Sequence, residues 1–217
     1  MNSKEKRKNV QSDYDLVAND YCQEFGTIIE DKELVDKFIS FLTPNAFVVD
    51  LGGGSGKVSN YLNNKGFSAV CYDFSENMMH SAKRLFPSLP YVLDDMLNIN
   101  KHYKANSVNG IIALYSLFHI PKENLKQLFV DIYKVLKQDG VFCCSFSLGK
   151  GEEFVDEPYL KERGKNALFM NFVAKQELYK LLKDVDFDIV YETEKREIGD
   201  NVLGENGNDA IYIIAKK

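Results

Sequence analysis

Val48–Ser59 reads VVDLGGGSGKVS. An apolar run ends in an acid, then four glycines fall in five residues, then a polar, helix-like stretch begins. Strand, glycine turn and helix together spell a nucleotide loop in an α/β sheet. Three ligands compete for it. A P-loop needs GxxxxGK followed by a hydroxyl residue. With Gly56-Lys57 as the GK, Leu51 stands where the first glycine belongs and Val58 where the hydroxyl belongs, so Lys57 only mimics a P-loop lysine. The dinucleotide pattern GxGxxG fails too, because its third glycine falls on Lys57 or Ser59. What remains is Asp50, two residues ahead of Gly52-x-Gly54-x-Gly56.

Outward from this loop the text alternates. "SAVCYDF", "YVLDDM", "VNGIIALYS" and "VFCCSFSL" read as further strands. Between them lie helical stretches: Gly56–Asn64 with Gly66 as C-cap, Ser75 as N-cap of a helix to Phe86, and Glu123–Gln138 closed by Gly140. Alternating strands and helices imply right-handed crossovers and a parallel sheet covered on both faces. After a helix at Gln176–Val185, "FDIVYETEKREI" and "DAIYIIAKK" are joined only by "GDNVLGENGN". So short a link suits an antiparallel pair. At the other end, Tyr14, Val17, Tyr21 and Phe25 share one helical face, and Asp31–Leu42 repeats the period. The expectation is an α/β, Rossmann-like doubly wound sheet, mostly parallel with an antiparallel C-terminal hairpin, under a helical N-terminal cap. Its parts are a cap at 1–44, a cofactor-binding core at 45–148, an irregular insertion at 149–172, and a helix with β-hairpin at 173–217, within one domain.

Composition narrows the class. The chain has 217 residues, 45% of them hydrophobic, enough for one buried core. Lys and Arg number 27 against 32 Asp and Glu, a mildly acidic balance that argues against a nucleic-acid partner. Cys22, Cys71, Cys143 and Cys144 form no CxxC pair, and no Cys/His cluster has metal spacing, so small buried thiols in a reducing cytoplasm and no metal are expected. The charged "MNSKEKRKN" start leads into no apolar segment, and no apolar run approaches the ~20 residues of a membrane span.

The acid-xGxGxG motif resembles that of the class I S-adenosylmethionine-dependent methyltransferases, and the resemblance extends from Tyr14 to Phe146. "D-F-S-E-N-M-M-H-S-A" from Asp73 is similar to the family's D-x-S-x-x-M-L-x-x-A, and "VLKQDGVFCCSF" to its L-K-P-G-G lead into strand five, with Gln138-Asp139 replacing Pro-Gly. The resemblance implies S-adenosylmethionine as cofactor and S-adenosylhomocysteine as product. It implies that Gly52 and Gly54 admit the methionine end, that Asp50 orients its amine, and that Asp73 takes both ribose hydroxyls, as a carboxylate can. Asp95, rather than Asp94, takes the adenine amine, with the Met96 backbone N–H beside it. Phe74, Met78, Leu114, Tyr115, Tyr14 and Tyr21 complete the implied cofactor set. Read locally, Asp50 caps the next turn, Asp73 ends a strand, and Tyr14 and Tyr21 pack the cap. Gly53 is then the spare glycine, whose alanine variant should cost less than that of Gly52 or Gly54.

Methyl transfer is an in-line displacement at an activated methyl, so positioning dominates and a base is needed only for a protonated nucleophile. His119 is the histidine nearest the expected mouth and the candidate base. Leu114-Tyr-Ser-Leu-Phe118 lacks the (D/N)PP(Y/F/W) of nucleobase amine methylation, no Cys follows a Pro, and the acids of the catechol class are missing. The expected acceptor is an O or N atom of a small molecule. The alternatives are a protein or tRNA methyltransferase, or a non-catalytic cofactor-binding module. The 149–172 insertion is the candidate lid, with Tyr159 and Arg163 as candidate substrate contacts.

Overall fold

The computed structural model describes residues 1–156, 158–165, 167–196 and 209–217. In chain order the elements are α1 (Ser3–Phe25), α2 (Lys32–Ile39), β1 (Phe47–Leu51), α3 (Lys57–Asn64), β2 (Ser68–Asp73), α4 (Glu76–Leu85) and β3 (Tyr91–Leu93). Then come α5 (Ile99–His102), β4 (Val108–Ala113), α6 (Lys122–Val135), β5 (Leu136–Ser147), β6 (Gly151–Val155), α7 (Pro158–Lys161), β7 (Leu168–Phe172), α8 (Lys175–Lys183), β8 (Asp188–Arg196) and β9 (Asp209–Lys216). Two 3-10 turns, Met96–Asn98 and Leu117–His119, follow β3 and β4.

Seven strands form one sheet in the order β3-β2-β1-β4-β5-β9-β8. The five on the β3 side run parallel, and β9 pairs antiparallel with both β5 and β8. This is the expected doubly wound, Rossmann-like sheet with its antiparallel hairpin. Strand order reverses between β1 and β4, and in such sheets that reversal opens a crevice beyond the carboxyl ends. The central strands read as continuous apolar runs because both faces are covered. Val49, Leu51, Ile111 and Phe142 pack toward α6 and α8, whereas Val48, Ile112 and Val141 pack toward α2 and α3. All four cysteines are buried free thiols.

Three boundaries differ from expectation. The helix expected to reach Gln138 ends at Val135, because the buried Leu136 turns extended (ψ 139°) and pairs with Val108. The third strand stops at Leu93, so Asp94 and Asp95 stand in the turn beyond it. The stretch expected to be irregular holds a two-stranded antiparallel sheet, β6 with β7, bracketing α7. Its apolar strand, LFMNF, is buried along its whole length. The exposed β6 opposite carries no apolar alternation, and that hid the pair. The link "GDNVLGENGN" lies outside the described residues apart from its neighbours in β8 and β9.

Helix α1 is longer than its apolar period suggested. Asn2 and Glu5 form a reciprocal capping box that starts it eleven residues before Tyr14, at Ser3. Its buried residues include Arg7, Asp13, Val17, Ala18 and Cys22, and it lies against α4, α7 and β7. The N-terminal helix therefore reaches the residues that follow β2 and β3, Phe74, Ser75 and Asp95.

Candidate functional site

The glycine loop is held by its neighbours before any ligand is considered. The Gly52 and Gly53 amides both donate to the Tyr72 carbonyl, at 2.7 and 3.1 Å. The Gly54 amide donates to Asp73 Oδ2 at 2.9 Å. Gly54 adopts φ +53°, and a Cβ built there meets nothing within 4 Å. A cradle is thus left open directly over the loop and beside Asp73. Unlike Gly52, whose built Cβ at φ +77° would lie 2.4 Å from Ser116 Cβ, Gly53 has no positive φ, yet its Cβ would not enter open space either. Its Cβ would lie 2.8 Å from Asp50 Cγ and 2.8 Å from Cys71 Sγ, both buried. Lys57 points away from the loop, pairing with Glu30 at 2.9 Å, as befits a lysine that only mimics a P-loop.

The three acids end up at the carboxyl edge of adjacent strands. Asp50 Oδ2 accepts from the Ser59 amide (3.1 Å) and hydroxyl (2.8 Å), so it does cap the first turn of α3. Burial pushes its carboxyl up to about 6, with the nearby Asp73 adding to the rise. Asp73 accepts from the Gly54 and Ser75 amides, each at 2.9 Å. Burial raises its carboxyl as well, against those hydrogen bonds. Asp95 accepts from the Leu97 amide at 3.0 Å and from two nitrogens of Arg7, at 2.7 and 3.1 Å. Asp94 instead holds His102 and Asn98, each at 2.8 Å. The two neighbouring acids therefore have different partners, Asp95 the Arg7 of α1 and Asp94 the His102 of α5.

Residues of α1 reach the site at helical spacing. Arg7 stacks over Phe74 at 4.4 Å, and Gln11 donates to the Phe74 carbonyl at 2.7 Å. Asp15 receives the Ser75 hydroxyl at 2.6 Å and the Asn77 amide at 3.1 Å. Tyr14 Oη lies 2.8 Å from His119 Nε2, and His119 Nδ1 lies 2.8 Å from the Phe169 carbonyl. A carbonyl only accepts, so Nδ1 carries the proton and Nε2 accepts from the Tyr14 hydroxyl. Burial holds this imidazole down at about 4. His119 is thus neutral, and its one acceptor nitrogen is already engaged. Neutral is the form a base needs, but burial makes this imidazole a weak one, and its acceptor nitrogen is occupied by Tyr14. Tyr21 packs on Phe25, ring centroids 5.5 Å apart, and Met78 is enclosed by Ala18 and Cys22. Met96 is buried beneath β1 and β4.

Past β4, Leu114 is half-buried and Tyr115 has φ +55°. A tyrosine in the left-handed region is uncommon, and such strain gathers at functional sites. Its amide is fixed by the Ser145 hydroxyl at 2.7 Å, and its own hydroxyl bonds Asp31 and Tyr212. Phe118 packs with Met170 and Phe172 of β7 in a buried apolar cluster that Tyr115 flanks. Arg163, a candidate substrate contact, forms an ion pair with Asp20 of α1. Tyr159 lies in α7, and its side chain is outside what the structure describes.

Arg7, Gln11, Asp15 and Asp31 escaped the sequence reading. Gln11 and Arg7 continue the phase of Tyr14, Ala18 and Cys22 backward by three and four residues, and Asp15 flanks it, a signal masked by the charged start of α1. Among the described residues, no group of three or more His, Cys, Asp or Glu could hold a metal ion, and no helix is long and apolar enough to cross a membrane.

Comparison with known proteins points in one direction. Residues 48–140 match the family model of a methyltransferase domain. An uncharacterised methyltransferase of Alkaliphilus oremlandii is 24% identical over 137 residues, covering 63% of this chain and 57% of its own length. The chain thus spans little more than half of that relative. A second, from Oceanobacillus iheyensis, is 21% identical over 206 residues, 94% of this chain and 86% of its own. The fold is similar to that of the 1,6-didemethyltoxoflavin-N1-methyltransferase of Burkholderia thailandensis, crystallised with 1,6-didemethyltoxoflavin and S-adenosylhomocysteine. The TM-score is 0.74 at 16% identity, covering 100% of this chain and 91% of the other.

Proposed function

We propose that this chain, a member of the class I S-adenosylmethionine-dependent methyltransferases through its residues 48–140, transfers a methyl group from S-adenosylmethionine to an O or N atom of a small molecule. The observation that carries this reading is the row Asp50, Asp73, Asp95 along three adjacent strand ends, around the open space above Gly54. The residues fit the cofactor. The Gly54 cradle and the amino end of α3 suit its carboxylate, since a helix start favours an anion. Asp50 faces its amine, Asp73 its ribose hydroxyls, and Asp95 with the Met96 amide its adenine. Phe74, Leu114, Tyr115, Tyr14, Met78 and Tyr21 wall the rest, Met78 and Tyr21 through α1 and α4. The cofactor supplies a methyl already activated by sulfonium, and the protein's work is to align the acceptor with it.

On the acceptor side stand the Tyr115–Phe118 turn, the Tyr14–His119 pair and the roof of β6, α7 and β7. This wall is apolar and aromatic, and Arg163 is committed to Asp20. Both features favour a flat, weakly charged acceptor over a polyanion, which is why the small-molecule reading is preferred to tRNA. Offering cofactor carrying a labelled methyl to a cell extract tests this. Label is expected in the low-molecular-mass fraction after ultrafiltration, and label retained with protein or RNA would overturn the small-molecule assignment.

A pH dependence follows from Asp50. Binding a cationic amine favours the ionised carboxylate, whose free form titrates at about 6. Affinity for S-adenosylhomocysteine should be full above about pH 7 and weaken, by up to about tenfold per unit, as pH falls through that value. Asp50→Asn keeps the Ser59 contacts and should flatten the profile measured by titration calorimetry from pH 5 to 8. Stability runs the other way. A carboxyl raised from 3.8 contributes fully below that value, and the contribution is lost as pH rises through about 6.

A further inference from the structure

The buried cation nearest the three acids is Arg7, which the proposed chemistry does not use. Its side chain is 6% exposed, while that of its partner Asp95 is 27% exposed. The cation of this pair therefore lies inside and the acid faces outward. Arg7 Nη2 bonds Asp95 Oδ1 at 2.7 Å, and Arg7 Nε bonds Oδ2 at 3.1 Å. Nη1 donates to the His119 carbonyl at 3.3 Å, and the guanidinium plane rests 4.4 Å above the Phe74 ring. The guanidinium is thus fixed from three sides before any ligand arrives.

The acceptor capacity of Asp95 is nearly used. A carboxylate offers about four lone-pair positions. Oδ1 fills two, with the Leu97 amide and Arg7, and Oδ2 fills one with Arg7 among the described residues. One acceptor position on Oδ2 remains, on the more exposed member of the pair. A bidentate guanidinium also fixes the plane of the carboxylate, which a single ammonium would not.

We propose that Arg7 is a positioning residue for the base end of the cofactor site, orienting Asp95 so that its remaining lone pair selects a base carrying an exocyclic amino group. The inference rests on the cofactor assignment above. Arg7 lies on α1 and also touches the turn that carries His119. It thereby joins the N-terminal helix to the acid assigned to the base. A 6-oxo base would present an oxygen to the oriented Oδ2 and be rejected, whereas an amino group donates to it.

The test compares S-adenosylhomocysteine with its 6-oxo counterpart, S-inosylhomocysteine, by titration calorimetry on the full chain. Wild type is expected to prefer the amino compound by about tenfold or more. Arg7→Ala should raise the Kd for S-adenosylhomocysteine about tenfold and shrink that preference at least about threefold, because a freed carboxylate can turn away from the oxo group. Arg7→Lys keeps the charge without the fork. It should recover part of the affinity and little of the preference, and it carries the test alone if the alanine variant does not fold. An unchanged preference, with both ligands weakened alike, would reduce Arg7 to a structural role and overturn the proposal. Tighter binding by Arg7→Ala would overturn it too, making Arg7 a competitor for Asp95. If wild type binds neither ligand, the cofactor assignment itself falls. If wild type binds and only the preference fails to move, the assignment stands and Arg7 alone is refuted.

Discussion

Asp73→Ala is expected to cost about 3 kcal/mol of S-adenosylhomocysteine binding, close to a hundredfold in Kd. Two contributions add. A charged acceptor for two ribose hydroxyls is removed, and hydrogen bonds to charged groups are each worth about 1.5–3 kcal/mol. The Gly54 and Ser75 amides, each 2.9 Å from the carboxylate, lose their shared partner. The glycine loop is then no longer tied to β2. Asp73→Asn retains an oxygen for one amide and one hydroxyl and should fall between the two. Calorimetry on all three proteins, with circular dichroism to establish folding, decides the matter. An unchanged Kd in a folded Asp73→Ala variant would contradict the ribose assignment.

The second large effect separates two adjacent glycines. Gly54→Asn should leave the melting temperature within about 2–4 °C of wild type, since asparagine tolerates the left-handed backbone. Its side chain would enter the space that is empty at φ +53°. Cofactor affinity should fall by more than about tenfold, because that space is where the methionine end lies under this account. Gly53→Ala inverts the pattern. Its methyl would press on Asp50 and Cys71 at 2.8 Å, and overpacking of this kind costs about 1–3 kcal/mol. A melting point several degrees lower is expected, with any loss of binding following from displacement of Asp50. If Gly54→Asn bound as wild type does, the cradle would lie elsewhere.

Much of this architecture was legible from a single chain because each signal was local. Asp50 before the glycines, Ser75 ahead of Met78 and the LFHIP turn after β4 are all decided within ten residues. The sheet order follows from alternation and handedness. The misses were tertiary. Arg7 looks like one more charge in SKEKRKN, and only the docking of α1 over Phe74 turns it inward. A sequence spacing does not show that Asp50 and Cys71 crowd the hydrogen of Gly53. The LFMNF strand was hidden by its polar partner, since pairing across fifteen residues leaves no period to read. The burial of His119 and its link to Tyr14 could not be read from its neighbours in sequence.

Under the proposed function, three strand-end acids and an open glycine loop bind the adenosyl-methionine scaffold. Titration calorimetry of the folded wild-type protein with S-adenosylhomocysteine near pH 7.5 tests it most directly. One saturable site is expected, with a Kd in the micromolar range, a binding free energy of about −8 kcal/mol, weakened by Asp73→Ala. A folded protein that takes up no heat and shows no thermal stabilisation at millimolar ligand would contradict the account.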